Sequence, residues 1–358
     1  MNLLKLSLIT ISCAGLIACE NPDGLQNDVQ IRDYSDTFTP IPVQIPYPKN
    51  NPRNEIKELL GEFLFWDPIL SGDQTTSCAS CHHPDFGWAD GRALSIGSDG
   101  IGLGPQRYGF EETPIHSPAI MNLAYTGITN AQTINTFNSG GYFWDLRAST
   151  LEEQVLGPIE NPIEMLGYNF SKEEIMPEIV NRLQAVPAYV ELFKRAFSTE
   201  DAINSVNITK AIATFERKIT SLNSRFDRFL SGELDLLTEQ EIVGLNKFID
   251  GGCARCHNGP MLSDNLIHES ESIINDKVVR TPSLRNISYT APYMHDGSRI
   301  ELIDAIATYE DRGDIEVNID ANDFNDIEAF LKTLNTDTFY QSKPTSLPSG
   351  LTVGGNIY

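Results

Sequence analysis

The stretch that decides the fold is Cys78-Ala79-Ser80-Cys81-His82, and its pattern returns in Cys253-Ala254-Arg255-Cys256-His257. Both runs spell C-x-x-C-H, the attachment motif of c-type haem. The two cysteines bond to the haem vinyl groups, and the adjacent histidine, His82 or His257, becomes an axial ligand of the iron. Paired C-x-x-C groups also bind zinc, but a histidine directly after each second cysteine favours haem. The sequence therefore predicts two c-type haems, and two irons in one chain indicate electron transfer.

The other two cysteines and the first residues indicate export. Cys13 lies in the apolar run 6–17, which follows Lys5 and is too short to span a bilayer, so residues 1–18 are typical of a signal peptide. Leu16-Ile17-Ala18-Cys19 resembles the lipobox of bacterial lipoproteins, so we expect the mature chain to begin at a lipidated Cys19. The alternative is an ordinary secretory signal that is cleaved nearby. Either reading predicts a periplasmic or outer-membrane-associated protein, for which a lipid anchor would be the only attachment to the membrane.

Composition excludes several classes of protein. The 358 residues are 41% hydrophobic and 21% charged, which is typical of a globular protein and, by its length, of two domains. The chain has 26 Lys and Arg against 49 Asp and Glu, so its formal net charge is -23. Such a surface does not suit nucleic acid or anionic lipid. It would attract a basic redox partner, or it serves only to keep the protein soluble.

Helical patterns dominate between the two ends of the chain. Apolar residues recur at helical spacing, and Thr238 with Glu241 forms a capping box. The predicted helices cover residues 54–65, 207–222, 238–250 and 322–334. Each C-x-x-C-H run follows a helix and precedes a loop that contains Gly and Pro. The sequence therefore predicts an all-α fold of two cytochrome c-type haem domains with long loops.

Composition also sets the domain boundaries. Residues 19–52 are polar and then Pro-rich, which predicts a tether between the membrane and the domains. The N-terminal domain is placed at residues 53–230, the C-terminal domain at 231–340 and an irregular tail at 341–358, with the break within 222–236. The two halves look like a distant repeat at the haem motifs only. The first half is enlarged by an insertion over residues 105–205.

Further runs carry a family resemblance. They are Phe65-Trp66-Asp67-Pro68-Ile69-Leu70-Ser71-Gly72, then Phe143-Trp144-Asp145-Leu146-Arg147-Ala148 with Leu151-Glu152-Glu153-Gln154, then Gly157-Pro158-Ile159 with Asn161-Pro162-Ile163-Glu164-Met165, and finally Thr281-Pro282-Ser283-Leu284-Arg285-Asn286 with Thr290-Ala291-Pro292-Tyr293-Met294-His295-Asp296-Gly297. In this order and spacing the chain resembles the bacterial di-haem cytochrome c peroxidases and their MauG-like relatives over most of residues 54–335. The resemblance implies reduction of hydrogen peroxide to water, a small electron-donor protein such as a cytochrome c or a cupredoxin, and a homodimer.

The same resemblance assigns catalytic residues around the first haem. Gln154 and Glu164 would lie on its distal side, where the Glu164 carboxylate takes a proton from one peroxide oxygen and returns it to the other. Trp144 would lie between the two haems and pass electrons. The alternatives are that Glu164 is a solvated loop carboxylate and that Trp144 is a core aromatic residue. Trp144 could be a core residue and still pass electrons between the haems.

The distal side of the first haem departs from the family pattern. The best-known members block this iron with a distal His from the loop after the first motif. Residues 84–115 contain no His, and His83 is expected to be a loop residue. We therefore expect the first iron to be open in the resting protein, so that no reductive activation is needed.

The second haem also departs from the best-known members, which use a distal Met. Tyr309 follows His295 by fourteen residues, as in MauG-like proteins, and a phenolate ligand would lower the reduction potential. Met294 is the rival ligand, and a further alternative is that Tyr309 only packs on the haem edge.

The family also binds calcium through backbone carbonyls and one Asn side chain. Thr290 and Pro292 match the carbonyl donors, but His116 stands at the Asn position. An imidazole is a poor ligand for this hard cation, so the resemblance leaves calcium open.

Two other functions stay open at this point. A MauG-like oxidase would modify residues of a partner protein, and Tyr309 and the open first iron favour this alternative. A non-catalytic di-haem electron carrier would need neither Gln154 nor Glu164, so their presence at the family spacing argues against it.

Overall fold

Short helices joined by long loops make up the computed structural model, which describes residues 29, 31–128, 141–268, 279–310 and 316–358. Residues Arg32–Tyr358 form one compact unit. The predicted signal peptide, with Cys13 and Cys19, lies outside the described residues. The α-helices are α1 Glu55–Trp66, α2 Leu151–Gln154, α3 Leu156–Ile159, α4 Lys172–Gln184, α5 Pro187–Phe197, α6 Ser205–Lys218, α7 Arg225–Leu230, α8 Glu239–Asp250, α9 Leu302–Ala307 and α10 Phe324–Lys332.

The all-α prediction is confirmed, because within the described ranges the only β structure is a set of isolated bridges. The four predicted helices correspond to α1, α6, α8 and α10. The capping box at α8 is confirmed too, since Thr238 and Glu241 each accept the other's backbone N–H. Helix α6 ends at Lys218, earlier than predicted, and α7 occupies the predicted break between the halves. No helix in the described part of the chain has the length and apolar character that crossing a bilayer requires.

The helix before each C-x-x-C-H motif contains a glycine at which a later helix crosses closely. In α1, a Cβ on Gly61 would lie 2.0 Å from the carbonyl oxygen of Ala211 in α6. In α8, a Cβ on Gly244 would lie 1.8 Å from the carbonyl oxygen of Asp326 in α10. Any side chain would force either helix pair apart. The α1–α6 and α8–α10 pairs therefore form equivalent supports, one for each motif.

The internal repeat extends well beyond the motifs, which corrects the prediction from the sequence. Ser117-Pro118 and Asn122-Leu123-Ala124-Tyr125-Thr126 correspond to Thr281-Pro282 and Asn286-Ile287-Ser288-Tyr289-Thr290. Asn122 and Asn286 have φ of 63° and 57°, and each begins a single 3₁₀ turn. Bridges also pair Tyr142 with Ala148 and Tyr293 with Arg299. If Tyr142 corresponds to Tyr293, then Trp144 corresponds to His295, because each lies two residues further along the chain.

The N-terminal segment differs from the predicted tether. Within residues 32–52, Tyr34, Phe38 and Ile41 are buried. The Arg32 guanidinium donates to both carboxylate oxygens of Asp250 at the end of α8, at 2.7 and 2.8 Å. The Pro-rich composition favours an extended chain, but spaced apolar residues hold that chain against the protein.

The C-terminal tail is likewise part of the core. Leu347 and Ile357 are buried. The carbonyl oxygen of Gly354 accepts hydrogen bonds from the hydroxyls of Ser77 and Ser80, at 3.2 and 3.4 Å. The last residues of the chain thus support the turn that carries the first motif, although the sequence predicted an irregular tail outside both domains.

Candidate haem and peroxide site

The first C-x-x-C-H motif folds as a 3₁₀ turn over Cys78–Ser80, opened by a capping interaction between Ser77 and Ser80. The Nδ1–H group of His82 donates to the carbonyl oxygen of Trp88 at 3.3 Å, which leaves Nε2 to bind a metal. Burial lowers the pKa of His82 to about 4, so the imidazole is neutral, as a metal ligand must be.

The second motif repeats this geometry. A 3₁₀ turn covers Cys253–Arg255 and follows Gly252, whose φ of 91° favours glycine. The Nδ1–H group of His257 donates to the carbonyl oxygen of Leu262 at 3.0 Å. In both sites the accepting residue, Trp88 or Leu262, has left-handed backbone, with φ of 60° and 48°. The same local bend therefore fixes the same tautomer twice.

The donor groups fit two separate c-type haems. All four motif cysteines are free thiols and are partly buried. Within the described ranges, the one group of side chains close enough to hold a metal ion contains a single motif cysteine, Cys256, together with Asp264 and His268. This argues against a shared zinc site. Each pair instead lies beside its own histidine, as covalent haem attachment requires.

Glu164 lies in a single π-helical turn, Pro162–Leu166. The Asn161 side chain opens this turn by accepting the N–H of Ile163, and its amide donates to Glu164 Oε1 at 2.7 Å. Gly97 packs against the turn so closely that a Cβ would lie 2.2 Å from the carbonyl oxygen of Glu164. Burial raises the pKa of Glu164, and the charge of Arg147 opposes the rise. The carboxyl group is thus held in place and can exchange a proton.

Gln154 is the last residue of α2, which Thr150 caps by accepting the N–H of Glu153 at 3.1 Å. The next helix, α3, packs against the π-helical turn of Glu164. Gln154 is half-buried, and it is not hydrogen-bonded to Glu164. The structure therefore places the two predicted residues on neighbouring elements without joining their side chains.

Trp144 and His295 cross-link the two halves. The indole N–H of Trp144 donates to the carbonyl oxygen of His116 at 2.8 Å, and the Trp144 carbonyl oxygen accepts the N–H of Arg280 at 2.8 Å. In the equivalent bond of the other half, the N–H of His116 donates to the carbonyl oxygen of His295 at 2.8 Å. The His295 ring is buried, and neither ring nitrogen has a partner. This face therefore offers two hydrogen-bonding nitrogens to a bound polar group.

Comparison with known proteins agrees with this geometry. A family model described as di-haem cytochrome c peroxidase matches residues 55–235. Cytochrome c551 peroxidase of Nitrosomonas europaea is 33% identical over 317 residues, which cover 83% of this chain and 84% of the relative. The chain belongs to the di-haem cytochrome c peroxidase family.

Two MauG-type proteins are also similar to this chain. The methylamine utilization protein MauG of Methylorubrum extorquens is 31% identical over 322 residues, with 83% of both chains covered. A solved structure, a MauG-like protein associated with microbial copper homeostasis, is 29% identical with a TM-score of 0.67. The match covers 82% of this chain and 94% of that structure.

The two rival ligands of the second iron lie on either side of α9. Tyr309 follows the C-terminal end of this helix and is half-buried. Met294 lies in the turn between Tyr293 and Arg299, with a left-handed φ of 72°, and is also half-buried. The choice between Tyr309 and Met294 stays a prediction.

The calcium position of the family is occupied by a side chain that does not fit the ion. His116 is buried, and its Nδ1 lies 3.1 Å from the carbonyl oxygens of both Arg92 and Ala93, so Nδ1–H donates to them. The position therefore offers a nitrogen donor where Ca²⁺ needs an oxygen ligand. The carbonyls of Thr290 and Pro292 alone do not make a calcium site.

Arg280 is a buried cation near the candidate site that the sequence did not reveal. Its guanidinium donates to the carbonyl oxygen of Phe143 at 2.9 Å and to Asn265 Oδ1 at 2.8 Å, both neutral acceptors. Burial lowers its pKa to about 10, and in the described ranges its hydrogen-bond acceptors include no carboxylate. A buried cation without an acid fits an anion such as a haem propionate. The sequence did contain one hint of this position: Arg280 directly precedes Thr281-Pro282, just as His116 directly precedes the equivalent Ser117-Pro118.

Proposed function

We propose that this protein reduces hydrogen peroxide to water with electrons from a small exported redox protein, a cytochrome c or a cupredoxin. The observation that carries the proposal is the pair of histidines whose Nδ1–H groups donate to backbone carbonyl oxygens, which leaves Nε2 as the ligand atom, combined with a carboxyl group held by Asn161. Hydrogen peroxide takes up two electrons and two protons and yields two water molecules. When bound, the haems supply the iron that reacts with peroxide and the centre that accepts electrons.

The residues of the chain divide this work. Cys78, Cys81 and His82 hold the peroxide-reacting haem, and Cys253, Cys256 and His257 hold the electron-transfer haem. In the first site, Glu164 moves a proton between the two peroxide oxygens, and Gln154 orients the peroxide. Trp144 lies in the cross-link between the halves and provides the path for electrons. The charge of Arg280 and the ring of His295 bind propionates.

The experiment that tests this function is steady-state turnover of the holoprotein with hydrogen peroxide and reduced cytochrome c. We expect two cytochromes to be oxidised for each peroxide consumed, because each donor carries one electron. The resting protein should show a high-spin signal by electron paramagnetic resonance, because the first iron is open. Absence of peroxide consumption would overturn the proposal and leave an electron carrier.

A MauG-like oxidase of a partner protein is the second candidate. It is favoured by the match to the MauG-like structure and by Tyr309, the residue type that MauG-like proteins place at this position. This function predicts negligible turnover with reduced cytochrome c and a long-lived high-valent spectrum after peroxide. The same steady-state assay therefore separates the two candidates.

We expect the protein to work without calcium. Incubation of the holoprotein with EGTA should change neither the denaturation midpoint nor the rate of peroxide reduction, because His116 already binds the carbonyl oxygens around it. The matched variant is His116→Asn, which restores the oxygen ligand of the family and should introduce a response to added calcium. A lower midpoint of the unchanged protein in EGTA would contradict this prediction.

The proposed location rests on the sequence alone. Export through residues 1–18 and lipidation at Cys19 would hold the enzyme at the outer membrane or in the periplasm, where its acidic surface attracts a basic donor. Labelling with a radioactive fatty acid, with Cys19→Ser as the unlabelled control, tests the anchor.

A further inference from the structure

Trp88 links the ligand of the first iron to a second aromatic residue. Its carbonyl oxygen accepts the Nδ1–H of His82, and its indole is completely buried. The indole N–H donates to the carbonyl oxygen of Tyr340 at 2.7 Å. The two rings stack with centroids 6.3 Å apart and planes at 26°. An unbroken chain of contacts therefore runs from His82 through Trp88 to Tyr340.

Tyr340 is partly exposed and has polar groups on its hydroxyl. Lys218 Nζ donates to this oxygen at 3.3 Å and lies 4.7 Å from the ring centroid. Burial raises the pKa of Tyr340, and the nearby Glu62 carboxylate adds to the rise. Phe215 packs edge-on at 5.8 Å and fixes the ring. The phenol thus has a proton acceptor, Glu62, beside it.

Reaction with peroxide in the absence of a donor would oxidise side chains of the protein itself. Reduction of hydrogen peroxide needs two electrons, and the enzyme remains oxidised if the donor protein does not supply them. One of the two missing electrons is then taken from an oxidisable side chain, and indole and phenol rings are the most readily oxidised aromatic groups in proteins. Tunnelling weakens steeply with distance, so two stacked rings between His82 and the surface form the favoured route.

We propose that Trp88 and Tyr340 form a relay that carries oxidising equivalents from the first haem site to the surface when the donor protein is absent. Tyr340 gives up one electron and its phenolic proton and becomes a neutral tyrosyl radical. The electron passes through Trp88 to the peroxide-reacting site, and the proton moves to Glu62. This is one of the two electrons that peroxide requires, and a bound haem would supply the other. The inference rests on the proposed peroxidase function.

The test mixes the holoprotein with hydrogen peroxide in the absence of a donor, followed by freeze-quench electron paramagnetic resonance and peptide mapping by mass spectrometry. We expect a tyrosyl radical signal and oxidation products at Tyr340. The signal should be lost in Tyr340→Phe, which removes only the hydroxyl, and reduced in Trp88→Phe. The matched controls should keep it: Tyr289→Phe alters an exposed tyrosine that packs on Phe339, and Trp66→Phe alters a buried indole next to His83.

The outcomes separate this inference from the peroxidase function. Turnover with reduced cytochrome c should be unchanged in Tyr340→Phe, because the relay operates only without a donor. A protein that consumes peroxide normally but forms no radical at Tyr340, or keeps the signal in Tyr340→Phe, overturns the relay alone. A protein that does not react with peroxide at all overturns the relay together with the proposed function.

Discussion

Replacement of Glu164 by Gln is expected to slow peroxide reduction by about 10²–10⁴-fold, the usual contribution of a positioned acid–base group. Glutamine has the same size, and its carbonyl oxygen can still accept the Asn161 amide that now lies 2.7 Å from Oε1. It cannot take up a proton from peroxide. The reaction of the variant with peroxide should be followed by stopped-flow absorption, with haem content measured to show that attachment at Cys78 and Cys81 is intact.

The matched control for this substitution is Glu160→Gln, four residues earlier in the chain. Glu160 forms an ion pair with Lys172 at 2.9 Å near the surface, where such a pair contributes about 0–1 kcal/mol. The control should react with peroxide as the unchanged protein does. If Glu164→Gln reacted equally fast, Glu164 would not be the proton-transfer group.

The dependence of the peroxide reaction on pH gives a second readout of Glu164. Burial raises the pKa of this carboxyl, so its titration lies above that of an exposed glutamate. Because the ionised form must accept the proton of peroxide, the rate should fall as the pH falls through this raised pKa. The Glu164→Gln variant should lose that dependence, whereas Glu160→Gln should keep it.

Local patterns were the part of the fold that the sequence could predict. The C-x-x-C-H runs, the helices on either side of the second run and the capping box at Thr238 each depend on residues within a few positions of one another. The packing of Tyr34 and Ile357 could not be predicted in this way, because both lie in segments rich in Pro or Gly. Their burial depends on partners more than one hundred residues away.

The candidate site shows the same difference between local sequence patterns, which could be predicted, and long-range contacts, which could not. Glu164 and Trp144 were found through a resemblance to known runs, and the structure adds the contacts that hold them. Arg280 was missed, because a lone arginine in sequence shows neither its burial nor its lack of a carboxylate partner. His116 was noticed only as an unexpected residue type. Its two carbonyl acceptors became visible only once the loop of Arg92 was placed beside it.

The largest effect on stability is expected from Arg285→Met. The Arg285 guanidinium donates to both carboxylate oxygens of Asp227 in α7, each at 2.8 Å, and the two side chains are only 2% and 4% exposed. Asp227 Oδ1 also accepts the N–H of Ile41 at 2.9 Å, so the pair joins the N-terminal segment to the second half. Removal of one member leaves a buried charge unpaired, which costs about 3–5 kcal/mol. Chemical denaturation of the holoprotein measures this loss.

Arg32→Met is the matched control, and pH separates the two variants further. The Arg32–Asp250 pair has similar geometry, but its side chains are 46% and 57% exposed, so its removal should cost about 1 kcal/mol or less.

Burial alone would raise the pKa of Asp227, but Arg285 holds it below its usual range. The pair therefore stabilises the fold above a pH of about 4, and this contribution is lost as the pH falls through the lowered pKa. In Arg285→Met the Asp227 carboxyl keeps its hydrogen bonds from Ile41 and Ser224 but loses the opposite charge, so its pKa should rise and the deficit should shrink in acid, where Asp227 is protonated. A deficit that is equal at all pH values, or no greater than that of Arg32→Met, would show that the buried pair does not hold these segments together.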